Sequence, residues 1–132
     1  MKATFAISVF GFAVSVVPVL AHHSVPAQYD TSKMITIQGV ITKIEWINPH
    51  AHFWVDAKNN DGSVSAWELE LPSPNALRKE IERTNINFVN EGDQVAVDLW
   101  RAKDGSRLAH ALTLTAPDGR ILSFPRNWPN SN

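Results

Sequence analysis

The side chains able to do chemistry in this 132-residue chain are its histidines and a few carboxylates, because it contains no cysteine. That absence excludes disulfides, thiolate metal sites and cysteine nucleophiles together. The five histidines are His22, His23, His50, His52 and His110. An imidazole at a free N-terminus offers a metal two nitrogens from one residue, its ring and its α-amine. The amine has an ordinary pKa near 8, so giving up its proton to a metal costs little at neutral pH. If His22 becomes the N-terminal residue, a ring from His50 completes a three-nitrogen plane of the kind called a histidine brace. Neutral imidazole suits copper, zinc and nickel, and first-row affinities peak at Cu(II), so copper is the expected metal. Met34 is the one methionine besides Met1, which excludes a thioether-rich Cu(I) site. His23 and Glu70 are expected as auxiliaries, Glu70 either ligating directly or orienting a histidine.

Whether His22 carries a free amine depends on the first segment. Lys2 is the single charge before an apolar run from Ala3 to Leu20, broken by Pro18 and closed by Val19-Leu20-Ala21. A positive start, an apolar stretch and a small residue at the end form the pattern of a secretory signal peptide. The competing reading is a retained membrane anchor, since the run approaches the length of a bilayer span. Cleavage after Ala21 would leave 111 residues with 11 basic and 13 acidic side chains. The expected product is exported, periplasmic or extracellular, with no membrane anchor. It lacks the basic face that nucleic-acid binding requires.

The elements that must position these groups follow from periodicity. Residues 22–33 show no clean period and are expected to form an extended lead-in, with the folded domain spanning 34–124 and a flexible tail over 125–132. Ile35 and Ile37 share one phase, while Val40, Ile44 and Trp46 share the other, which predicts a bulge or bend near Gly39. Asn48-Pro49 stops that strand. His52 to Ala57 and Val64 to Leu71 alternate around Asn60-Asp61-Gly62, a three-residue hairpin loop with Gly62 left-handed. The register then sets Val55 opposite Trp67, Phe53 opposite Leu69, Trp54 opposite Glu68 and His52 opposite Glu70. A slip of one residue would set apolar against polar positions. Ser73-Pro74 opens a helix with Leu77 and Ile81 on its buried stripe and Asn85 at its end. Three further strands are expected around Val95 to Leu99, Leu108 to Thr115 and Ile121 to Phe124. Three strands, a helix and then two or three strands is the order of a small, mainly β, OB-like antiparallel barrel of five to six strands.

Several short motifs resemble a bacterial family of small exported proteins, the domain-of-unknown-function family 6152. They are Ala21-His22-His23-Ser24, Asn48-Pro49-His50, Trp67-Glu68-Leu69-Glu70, Ser73-Pro74-Asn75-Ala76-Leu77, Glu91-Gly92-Asp93-Gln94-Val95 and Asp118-Gly119-Arg120. The resemblance covers essentially the whole chain and implies export and a small β-rich domain. It supplies no substrate or reaction. The family pattern carries a bulky residue where this chain has His52, which makes His52 a weaker ligand candidate than His50.

Other readings compete. The paired histidines can be solvated, and the His50 ring can simply bond to backbone. Trp54 and Trp100 fall opposite their strands' apolar stripes, so they either form an aromatic ligand face or lie under the lead-in and tail. On the first alternative the domain is a metal-free module that docks a protein or small ligand. On the metal reading, the partner is a periplasmic redox or metal-handling protein. His110 shares parity with Leu108, Leu112 and Leu114 and is expected to be partly buried and hydrogen-bonded. Enzyme signatures are absent: there is no nucleophile elbow, no phosphate loop and no zinc-protease helix. The spacing sets no oligomeric state.

Overall fold

The computed structural model describes residues 24–86 and 89–126. The sequence-predicted signal peptide, both N-terminal histidines and most of the tail lie outside them. Strand β1 (Tyr29–Glu45) is long because it serves two neighbours. Its first half pairs antiparallel with β4 (Gln94–Ala102), and its second half pairs antiparallel with β2 (His52–Lys58). Gly39 and Val40 pair with both. At that crossing a side chain has no room, since a Cβ on Gly39 would sit 2.8 Å from the Ala57 Cα.

From β2 the chain returns antiparallel as β3 (Val64–Glu70), and β5 (Leu108–Thr115) lies antiparallel to β4. A parallel pairing of β3 with residues 108–110 of β5 closes the cylinder, and β6 (Ile121–Ser123) pairs antiparallel with residues 113–115 of β5. The fold is therefore the expected mainly β, OB-like barrel, with one junction that is parallel. Barrel closure leaves no long open edge on the central strands.

The β2–β3 hairpin has the expected register, with Val55 opposite Trp67 and His52 opposite Glu70. Gly62 is left-handed at φ 84°. Helix α2 (Pro74–Thr84) is capped by the Ser73 hydroxyl, which accepts from the Ala76 N–H at 3.4 Å, and ends at left-handed Asn85. Leu77 anchors it to the core formed by Ile41, Phe53, Val55, Leu69, Val97, Leu99 and Leu114.

Three local expectations need correction. The lead-in is not wholly extended: α1 (Val25–Gln28) makes one helical turn, and β1 begins at Tyr29 rather than Met34. The phase change in β1 comes at Thr42, not Gly39. Ile41 pairs with Val55 and Lys43 with Trp54, which leaves Thr42 as an extra residue. An inserted residue inverts the alternation after it, so Ile37 and Ile41 point inward before the bulge and Ile44 packs on the core after it, whereas Val40 does not. A second irregularity falls in β5, where Leu99 pairs with Ala111 and Asp98 with Thr113. Leu112 therefore leaves the phase of Leu114 and joins a separate cluster outside the barrel with Tyr29, Trp100 and Ala102.

Candidate functional site

The candidate site is a row of side chains across the barrel's outer surface. His52 pairs with Glu70, Glu70 with His110, and His110 with Trp100, so β2, β3, β5 and β4 each contribute one member. Their chain neighbours Phe53, Leu69, Ala109 and Leu99 fill the interior. Alternation then turns the row outward. The parallel β3–β5 junction carries Glu70 to His110, two positions 40 residues apart in sequence.

His50 enters from the corner before β2, after a cis Asn48–Pro49 bond. Its Nδ1 meets Oε1 of Glu70. The other carboxylate oxygen, Oε2, accepts a hydrogen bond from the Tyr29 hydroxyl. An ionised carboxylate only accepts, so the His50 proton in this contact sits on Nδ1. The Glu70 side chain is 15% exposed and that of His50 26%, so the pair stands at the rim of the buried region. The sequence expectation that Glu70 lies near the Asn48-Pro49-His50 corner matches this placement.

His52 makes a different pair. Its Nδ1 lies 2.9 Å from Oε1 of Glu68, and its ring stacks on Trp54 at 6.0 Å. The partner is thus diagonal across the hairpin, while Glu70, directly opposite His52, turns to His50 and Tyr29. Lys43 covers Trp54, with Nζ 4.5 Å from the ring centre.

Under the lead-in, Trp100 is 5% exposed and His110 is fully buried. Their rings stack at 5.6 Å and 22°, and the Tyr29 ring lies 5.5 Å from His110. Val25 and Leu108 pack against this cluster, and the Arg126 guanidinium lies 5.3 Å from the Trp100 ring. Trp100 is therefore removed from any exposed aromatic face, and Trp54 remains without it. The reason is the docked N-terminal turn, which Lys103 secures by donating from Nζ to the Pro26 carbonyl at 2.6 Å.

The ionisable groups respond to these surroundings. Burial raises the Tyr29 hydroxyl far above its ordinary range, and its bond to Glu70 adds to the effect, so Tyr29 stays a donor. Burial pulls Glu70 upward, but the bonds from His50 and Tyr29 outweigh it and leave the carboxyl below its usual value. Burial lowers His110 to about 4, against opposing contributions from the Glu70 charge and the Pro125 backbone.

Among the described residues, no group of three or more His, Asp or Glu side chains is arranged to hold a metal. Glu70 and His50 come together; His52 is turned to Glu68; His22 and His23 lie outside the described residues. Tyr29 is the member that sequence reasoning missed. It sits in an aperiodic stretch, and only its being the sole tyrosine set it apart. Among the described residues, no helix is long and apolar enough to cross a membrane.

A family model described as "Family of unknown function (DUF6152)" matches residues 11–111. Among curated proteins, none matches. Among solved structures, the fold is similar to a crystal form of the mitochondrial single-stranded DNA binding protein Rim1 from S. cerevisiae. That match has 12% identity and a TM-score of 0.48, covering 70% of this chain and 96% of that one. A selenomethionine-labelled crystal of the same protein gives 12% identity and a TM-score of 0.44, covering 70% and 97%.

Proposed function

The chain belongs to the family of unknown function DUF6152, and we propose that it is an exported barrel that binds Cu(II) through the amine and ring of a processed His22 and the ring of His50. The observation that carries this reading is the contact between Glu70 and His50 Nδ1. A carboxylate that accepts from one ring nitrogen fixes the tautomer and raises the basicity of the other nitrogen, as outer-shell partners of ligating histidines do. The His50 ring is therefore set up to present Nε2 as a donor.

The docked lead-in supports the other half of the donor set. Val25 packs beside Tyr29 and Trp100, and the Tyr29 hydroxyl reaches Glu70. Three residues of chain span at most roughly 11 Å, which is the reach the proposed His22 ligand would have to work within from Val25. His23 would serve as an auxiliary donor, and zinc or nickel would be competitors for the same nitrogens. Such a domain suits carriage of the metal or its transfer to a redox partner.

The test begins with the intact mass of the exported chain, which must correspond to a start at His22. Titration with Cu(II) should then saturate at one equivalent and give a nitrogen-rich paramagnetic spectrum. His22→Ala, or one extra residue ahead of His22, should remove most of the affinity. Equal binding by the extended chain would eliminate the amine as a ligand.

A further inference from the structure

We infer that the cleft between the start of β1 and the end of β4 is a binding site for a small organic anion with two or more negative charges, held by Lys33, Arg101 and Lys103. The site is independent of the copper reading above, since none of its members is a proposed metal donor.

The cleft exists because the β1–β4 ladder is interrupted. Tyr29 pairs with Ala102 and Met34 with Trp100, so four residues of β1, 30–33, face the single position Arg101. A bulge of this kind disrupts the ladder locally and re-aims side chains. The excursion is held by Asp30, whose Oδ1 accepts from the Ser32 N–H at 3.1 Å and from the Ser32 hydroxyl at 2.6 Å. Beside it lies a cleft of about 500 Å³, lined by Ile35 and Ala102 together with Asp30, Lys33, Arg101 and Lys103. That volume falls within the range of small-molecule sites.

Charge and available donors select the ligand. The chain as a whole is slightly acidic, with 12 basic against 13 acidic side chains, yet this cleft gathers three cations against one carboxylate. Asp104, on the adjoining turn, has its Oδ1 on the Ser106 N–H at 2.8 Å. Arg101 is fixed in place: Nε donates to the Ser106 carbonyl at 2.8 Å, Nη2 donates to the Gly105 carbonyl, and the guanidinium lies 5.7 Å from the Trp67 ring centre. Those bonds use two of its five N–H groups. The Lys103 ammonium gives one of its three protons to the Pro26 carbonyl. Lys33, exposed on the bulge, brings a further ammonium, whose charge bears on Asp30. Carboxylate and phosphoryl oxygens match such donors. The bonds from Ser32 hold the Asp30 carboxyl below its usual range, so it stays charged and repels an anion. Three cations against one carboxylate leave an excess of two, which a dianion balances. Because that excess is confined to one cleft, it suits a small ligand, whereas a nucleic-acid strand needs a continuous basic track.

The experiment titrates the metal-free full chain with citrate and, separately, with pyrophosphate at low ionic strength, following backbone amide resonances and calorimetric heats. Metal is excluded because both probes chelate it. At least one probe should saturate at one equivalent, with shifts concentrated in residues 30–33 and 101–103. Acetate, with a single charge, should bind about 5-fold more weakly or worse. Lys33→Gln, at an exposed position, should weaken binding of the probe by about 5-fold. Asp30→Asn keeps an oxygen for the Ser32 bonds and removes the repelling charge, so it should tighten binding by about 3-fold. Lys79→Gln on α2 changes the net charge as Lys33→Gln does and should leave binding as it was. The inference falls if neither probe saturates, if Lys79→Gln weakens binding as much as Lys33→Gln, or if Asp30→Asn fails to tighten it. Tighter capture of oligothymidylate than of either anion, with shifts extending beyond the cleft, would overturn the assignment to a small ligand.

Discussion

Glu70 accepts from both His50 and Tyr29, and substituting it weakens both contacts at once. Glu70→Gln retains shape but cannot accept from His50 and Tyr29 as an anion. Loss of an outer-shell partner of this kind costs about 10- to 100-fold in metal affinity. Calorimetric titration of the processed protein with Cu(II) should show that loss, and an unchanged affinity would detach Glu70 from the site. His110 makes a prediction that needs no metal. Its folded-state pKa is about 4, below the ordinary 6.5, because burial disfavours the charged ring. The unfolded chain therefore binds this proton first as pH falls. Stability is complete above pH 6.5 and declines as the pH drops toward 4, by roughly 3 kcal/mol from this residue. Glu70, whose folded-state pKa is depressed, adds a further loss only lower, as the pH falls through its own range. Denaturant midpoints of metal-free His110→Phe should accordingly be flatter than wild type between pH 6.5 and 4, with both proteins weakening below that window. A wild-type profile already flat across the window would remove the argument.

At the scale of elements, β1 decides most. It twists from β4 to β2 at Gly39, where the carbonyl of Asp56 and the Cα of Ala57 close in. Gly39→Ala should destabilise the protein by about 3 kcal/mol, the upper end for overpacking, measured as a shift in urea midpoint at constant slope. A change below about 0.5 kcal/mol would mean that the strands separate there without cost. The periodicity of Ile35, Ile37, Val40 and Ile44 announced an irregularity in this strand but misplaced it by three residues. Phase inversion shows only that a residue has been inserted somewhere between two well-phased stretches. Which residue is extra depends on how β2 pairs across, and that is a property of the partner strand. The hairpin register was more legible, because both strands alternate strongly and Gly62 fixes the loop. The capped start of α2 at Ser73-Pro74 was equally local in origin.

For the whole molecule, closure of the barrel turns scattered residues into a row. Copper binding to the folded protein alone should raise its stability by mass action, by about 2.7 kcal/mol at free metal 100-fold above the dissociation constant. Thermal or urea unfolding with and without Cu(II) measures this, and one residue added ahead of His22 should abolish the increment. An increment that survives the extension would place the metal elsewhere on the protein. The same closure accounts for the fate of the aromatic face. Trp54 and Trp100 each lie opposite a core stripe, yet Trp100 is roofed by Val25, Tyr29 and Arg126, while Trp54 lies against His52 and Lys43. Strand alternation reveals which residues turn away from the core, but not what another segment lays over them.

The order of strands, the hairpin register, the capped helix and the approach of Glu70 to the His50 corner were all set by local patterns. Alternation, loop glycines and caps act over a few residues, so a linear sequence records them. The parallel junction that brings His110 beside Glu70, the burial of Trp100 and the reach of Tyr29 to the carboxylate were decided in three dimensions. Those contacts join segments 40 or more residues apart. Their energies come from burial and from hydrogen bonds between distant side chains, which no short-range period encodes.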